Sequence, residues 1–205
     1  MLRVRTIGLA AVLVLAGVGT VRAQVAWDSP LLLPPRPQGG PGIFLVDPAG
    51  GELGVLGMWR SGRAPNSLGF RVGLAEDNTD DVSVFGGVDV SGTMTRSSRD
   101  FPLDISWVAG GGVGVGDDVL LSFPLGITIG HTFIGDGAQF TPYVIPRVIL
   151  DAFFGDGPGD DDSDLDLDAA FDLGVDIGFQ RGWVIRFGAT FAGDRDDALA
   201  IGIVF

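Results

Sequence analysis

From Leu165 to Phe179 every second residue is apolar. Leu165, Leu167, Ala169, Phe171, Leu173, Val175, Ile177 and Phe179 share one parity; Asp166, Asp168, Ala170, Asp172, Gly174, Asp176 and Gly178 share the other. A period of two held this long marks a β-strand with one apolar and one polar or small face. After Gln180–Gly182 the pattern resumes as Trp183, Ile185, Phe187, Ala189 and Phe191 against Val184, Arg186, Gly188 and Thr190. It closes with Leu199, Ile201, Ile203 and Phe205 on the apolar side. Strand-like runs recur upstream at Glu52–Arg60, Ser67–Ala75, Val82–Gly92, Phe101–Gly112, Asp118–Thr132 and Phe140–Phe153. A soluble sheet buries its apolar face under a second layer, whereas a transmembrane barrel turns that face to lipid and keeps small or polar residues inside. The pattern predicts an all-β chain closed into an antiparallel up-and-down transmembrane β-barrel over residues 43–205. With both barrel termini on one side the strand number is even. Ile43–Val46 adds a weak strand to the nine strong runs, and the patterned hairpin Glu52–Ala75 favours ten strands; eight is the alternative, with the barrel starting near Ser67.

The connections carry a second pattern. Glu76–Asp81, Val113–Asp117, Gly155–Asp164 and Gly193–Asp197 are crowded with acids and hold Arg195 as their only base. The alternate connections, Ser61–Asn66, Thr93–Asp100, Phe133–Gln139 and Gln180–Gly182, hold Arg63, Arg96, Arg99 and Arg181, with only Asp100 and Asp136 acidic. Up-and-down topology then separates an acidic rim from a basic one. Trp59, Phe101, Phe133, Phe140, Phe179, Trp183 and Phe205 lie at the basic ends of runs; Phe123, Phe154, Phe171 and Phe191 lie nearer the acidic ends. Two such belts suit the two interfaces of a bilayer. Pro142 and Pro146 share parity, so both remove ladder bonds toward the same neighbour, and a bulge or loose seam is expected there.

Residues 1–23 read as a secretory signal: Arg3 and Arg5, the apolar Ile7–Val18, then Val21-Arg22-Ala23 before Gln24. Residues 24–42, with Pro30, Pro34, Pro35, Pro37 and Pro41, lack periodicity and are expected to form a disordered leader. The chain has no cysteine, so no disulfide supports it. All 13 basic residues are Arg, and the net charge of −13 argues against nucleic acid as a partner.

Parity points Arg71, Asp89, Asp104, Arg147, Asp151, Asp166, Asp168, Asp172, Asp176 and Arg186 at the lumen. A narrow barrel is largely filled by its side chains, and unpaired charge there is costly, so these residues are expected to pair and close the interior. Asp160, Asp162 and Asp164 alternate as calcium ligands do, but the stretch lacks the glycine and terminal glutamate of an EF-hand loop, and a solvated acidic loop is the expected reading. His131, the single histidine, falls at the basic end on the lipid-facing side and not at the opposite rim, and reads as an interfacial residue and not a general base. No catalytic residue, cofactor or metal is assigned, and the chain is not expected to be an enzyme.

The terminal run Leu199–Phe205, ending on an aromatic at an apolar position, resembles the C-terminal strand of small bacterial outer-membrane β-barrels such as opacity proteins and the OmpA membrane domain. Phe140-Thr141-Pro142-Tyr143-Val144 is similar to a recurring stretch of such barrels. The resemblance implies Phe205 as an assembly signal read by the barrel-assembly machinery. It also implies a Gram-negative outer membrane reached by export, with membrane lipid and lipopolysaccharide as surroundings, and a monomer with a structural or surface-interaction role. A narrow pore for small solutes or cations and a soluble exported lipocalin-like barrel are the alternatives.

Overall fold

The computed structural model describes residues 25–62, 66–77, 81–116, 118–154, 163–180, 182–193 and 195–205. The expected signal 1–23 and the connection residues Arg63, Arg181, Asp160 and Asp162 lie outside them; of Asp164 only the backbone is described. Ten strands form a closed antiparallel up-and-down barrel, and the described residues hold no helix. They are β1 Gly40–Asp47, β2 Gly51–Arg60, β3 Asn66–Asp77, β4 Val82–Thr95 and β5 Asp104–Val115. β6 Val119–Gly130, β7 Ala138–Phe154, β8 Ser163–Phe179, β9 Val184–Ala192 and β10 Ala198–Val204 complete it. Phe133–Ile134 adds a two-residue ladder to β7 at the basic end.

Each strand pairs with its sequence neighbours, and β1 meets β10 from Gly42↔Val204 to Asp47↔Leu199, which closes the ring. Closure removes the free sheet edge that would otherwise invite pairing with another chain. Turns of few residues suffice between antiparallel neighbours. At Pro48–Gly51 the Gly51 amide donates to the Pro48 carbonyl over 3.0 Å, and Gly50 takes a φ of 77° that a residue with a Cβ rarely adopts. The hairpin Glu52–Ala75, which favours ten strands over eight, is present as β2–β3, and the weak first strand is β1, starting at Gly40 rather than Ile43.

The alternation is obeyed all round. Outward positions on every strand between the rims are apolar residues, glycine or proline, with Val72 62% and Leu125 57% exposed. Inward positions carry the buried polar residues and glycines. The proline seam takes the looser of the two expected forms. β7 pairs with β8 without interruption, through both Pro142↔Val175 and Pro146↔Phe171. Toward β6 the ladder skips from Gly126↔Arg147 to Ile129↔Val144 and resumes in the same register. The missing amide thus leaves a gap in the β6–β7 ladder, not a bulge, because one-sided loss of a donor does not require an extra residue.

The leader overturns its expectation outright. In place of the disordered tail expected over residues 24–42, Val25 to Pro35 are all buried, with Trp27 and Leu31 to Leu33 at 1% exposure or less. They run through the middle of the barrel. Trp27, Leu32, Phe44, Leu56 and Phe85 belong to one apolar cluster, and Leu31 and Leu33 join Val108, Tyr143 and Ile145 in another. The barrel wall makes room by omitting side chains. A Cβ on Gly87, Gly110 or Gly112 would run into the Trp27 ring, and one on Gly188 into Leu32.

Filling that space is expected to be costly on the inner face alone. Gly112→Val should lower stability by about 1–3 kcal/mol through overpacking against Trp27. Gly57→Val, whose added carbons point outward, should stay within about 0.5 kcal/mol of the parent. Urea unfolding of the two variants checks this, and equal costs would contradict a filled interior.

Candidate functional site

The interior is where the chain concentrates its polar chemistry. β9 and β8 place Arg186 directly across from Asp176, and the guanidinium makes two parallel bonds of 2.7 Å to the carboxylate. Such fork-to-fork pairing combines charge with fixed geometry. β2, β3 and β4 align Arg60, Gly69 and Asp89 in one row. Gly69 has no side chain, so Arg60 reaches over β3 and bonds both Asp89 oxygens at 2.5 and 2.7 Å. Arg71 lies 3.8 Å from the same carboxylate and 5.3 Å from the Trp27 ring centre, within cation–π range.

The leader supplies the centre of this network. Asp28, fully buried, is bonded by Arg147 of β7 on one oxygen and by Arg195 of the β9–β10 connection on the other, the latter at 2.9 Å. Arg147 also holds Asp172 at 2.7 Å, and Asp172 takes the Thr190 hydroxyl. Arg195 also holds Asp151. Burial works against the charge on Arg195, but the carboxylates of Asp28 and Asp151 outweigh it and raise its pKa above the ordinary guanidinium value. The leader backbone is held as firmly. Arg71 donates to the carbonyls of Pro30 and Leu31 at 3.1 and 2.5 Å, Arg186 to that of Leu32 at 2.8 Å, and Ser106 to that of Pro35 at 2.8 Å. The Trp27 indole donates to the Ser122 carbonyl at 3.0 Å.

Of the ten residues that parity assigns to the lumen, Arg71, Asp89, Asp104, Arg147, Asp151, Asp168, Asp172, Asp176 and Arg186 are buried. Asp166, nearer the acidic rim, is exposed. Their partners differ in part from the expected strand-to-strand pairs. Asp151 goes to Arg195, and Asp104 to Arg36 of the leader at 2.7 Å. Asp168 receives the Ala169 amide on one oxygen, while its other oxygen has no partner among the described residues. Sequence reasoning missed Arg60, Arg195 and Asp28. Arg60 keeps the inward parity of β2 and was readable as such. Arg195, the one base among the acidic connections, was a signal whose meaning only the fold supplies.

Among the described residues no group of acids, histidines or cysteines is arranged to hold a metal ion. His131 packs edge-on against Phe133, ring centres 4.6 Å apart, at the basic end. At the same end Phe179 and Trp183 stack at 4.2 Å, and Trp59 lies 5.9 Å from Phe70. A hollow of about 490 Å³ opens at that end, lined by Pro35, Arg36, Ser67, Thr93, Arg96 and Ser106; the leader forms part of its wall.

Asp28→Asn should destabilise the protein by about 3–5 kcal/mol, since it leaves Arg147 and Arg195 buried with one carboxylate fewer. Asp166→Asn, at an exposed site, should change stability by less than about 0.5 kcal/mol. Urea midpoints compare the two directly, and a silent Asp28→Asn would place residue 28 outside the barrel.

No family model matches the chain, and neither the curated proteins nor the solved structures contain a match to it.

Proposed function

We propose that this chain is an integral outer-membrane β-barrel whose lumen is sealed by its own leader and by the Arg/Asp network, with a structural or surface-interaction role and no catalytic step. The observation that carries the reading is the outer wall. All ten strands turn apolar side chains, glycine or proline outward, and among the described residues charge on this face occurs only near strand ends, as at Asp47, Glu52 and Glu76. On β6 the outward row runs from Val119 to Ile129. Ten steps of about 3.3 Å, tilted by roughly 40°, span about 25 Å, the height of the apolar band of an outer-membrane barrel.

The rims support the same reading. Aromatic side chains gather at both ends of the wall, and alternate connections separate acids from arginines. We assign the acidic rim to the cell surface, facing lipopolysaccharide, and the basic rim to the periplasm. Phe205, exposed at the end of β10, is on the periplasmic side, where the assembly machinery would read it. The buried arginines and most of the buried aspartates bond one another and leader carbonyls, which supports a lumen without a continuous polar path for ions. The protein is therefore expected to be silent in planar bilayers.

Membrane fractionation tests the reading. The protein should stay with the outer membrane after alkaline extraction and migrate faster on gels unless boiled. Leu125→Arg, at the middle of the outward row, should cost about 2–4 kcal/mol in lipid vesicles, and Ile134→Arg at the basic rim about 1 kcal/mol or less. Release into the soluble fraction with both variants tolerated would contradict membrane insertion. Steady conductance of the unmodified protein would contradict the sealed lumen and favour a pore.

A further inference from the structure

The leader does not merely enter the barrel; it crosses it. At one end the Ala26 amide donates to the Ala49 carbonyl at 3.0 Å, and Ala26 packs with Ala49, Leu120 and Ala198. These residues adjoin the β1–β2, β5–β6 and β9–β10 turns, the rim that carries the acidic connections. At the other end Pro35 lies over Gly130, Arg36 bonds Ser97 and Asp104, and Gln38 donates to the Gly182 carbonyl at 2.5 Å. These belong to the basic rim. The chain then reverses sharply into β1. Gly39 and Gly40 permit this. A Cβ on Gly39 would strike the Gly62 backbone, and Gly40 has a φ of 128° and packs against the Phe205 carbonyl.

The chain therefore makes one pass through the lumen and ten in the wall. Val25 and Phe205 lie at opposite ends of the barrel. We propose that the barrel carries its own amino-terminal segment across the lumen and holds it there, so that the chain enters at Val25 from the acidic face. This rests on the membrane reading above, under which the acidic face is the cell surface. The contacts are those of an anchor and not of a sliding plug. Trp27 sits in a recess formed by three glycines, Asp28 is gripped by two arginines, and carbonyls at four positions are bonded by fixed donors. A buried carboxylate drawn along this path would lose both partners before finding others. Gly40 follows directly and β1 forms the closing seam with β10, so the leader is continuous with the strand that closes the ring.

The chain has no cysteine, so single reactive sites are clean. Three full-length variants decide the path: a short Gly-Ser insert bearing one cysteine between Gln24 and Val25, Asp196→Cys on the acidic rim, and Gln180→Cys on the basic rim. A membrane-impermeant maleimide is applied to intact and then to lysed cells, with urea-unfolded protein giving the total. The insert should label on the same side as Asp196→Cys, in intact cells, while Gln180→Cys loses its signal until lysis. An insert that follows Gln180→Cys overturns the proposal. If the insert and Asp196→Cys were both protected and Gln180→Cys labelled, the crossing would stand and the assigned orientation would be reversed. If all three react alike, the membrane reading fails, and spin-label distances in the purified protein decide the crossing by itself. The insert should then lie closer to position 196 than to position 180, and the opposite order overturns it.

Discussion

Asp28 lies wholly buried inside a closed barrel, toward its acidic end, between Arg147 and Arg195. A carboxylate in such a place is tolerable only when its charge and its lone pairs are satisfied. The two arginines meet that demand, and each brings a further acid with it: Asp172 through Arg147 and Asp151 through Arg195. This chain of alternating charge joins the leader, β7, β8 and the β9–β10 connection. Buried ion pairs return little net stability against well-packed apolar residues. What they supply here is position. Trp27 and Leu31 to Leu33 contribute the apolar area, and Asp28 fixes where along the lumen that area sits.

The rest of the barrel follows from having to enclose that segment. A ring of this size with ordinary side chains inside would fill itself. Glycines at 87, 110, 112 and 188 clear a channel for Trp27 and Leu32, and Gly69 lets Arg60 span β3 to reach Asp89. Part of the sequence's abundant glycine is thus a packing requirement of the inner wall. The outer wall meets the opposite requirement, with apolar side chains exposed over its whole circumference. One strand pattern serves both, because successive residues of a strand point to opposite faces.

That pattern is also why the wall could be read from the chain. Leu165 to Phe179 alternates without a break, so the inward placement of Asp168, Asp172 and Asp176 followed from parity alone. β1 was the hardest strand to see because Gly40–Gly42 lack a pattern, and its place depends on β10, far away in sequence. The leader was illegible for a deeper reason. Its burial depends on a cavity that exists only after ten strands have closed, and no local periodicity encodes a neighbour of that kind. The clue in hindsight is composition: Trp27 and three successive leucines are too apolar for a solvated tether. Arg195 is similar, a base among acids whose partners are set by the fold.

Trp27 allows the most direct test of the leader's place in the lumen, because it is one of only 4 tryptophans. With Trp59, Trp107 and Trp183 replaced by Phe, its fluorescence reports the leader alone. The account predicts blue-shifted emission that neither acrylamide in the water nor brominated lipid in the bilayer quenches, since the ring faces Gly87 and Gly112 inside the barrel and not lipid. Red-shifted emission quenched freely by acrylamide in the folded protein would put the leader in solvent and contradict the account.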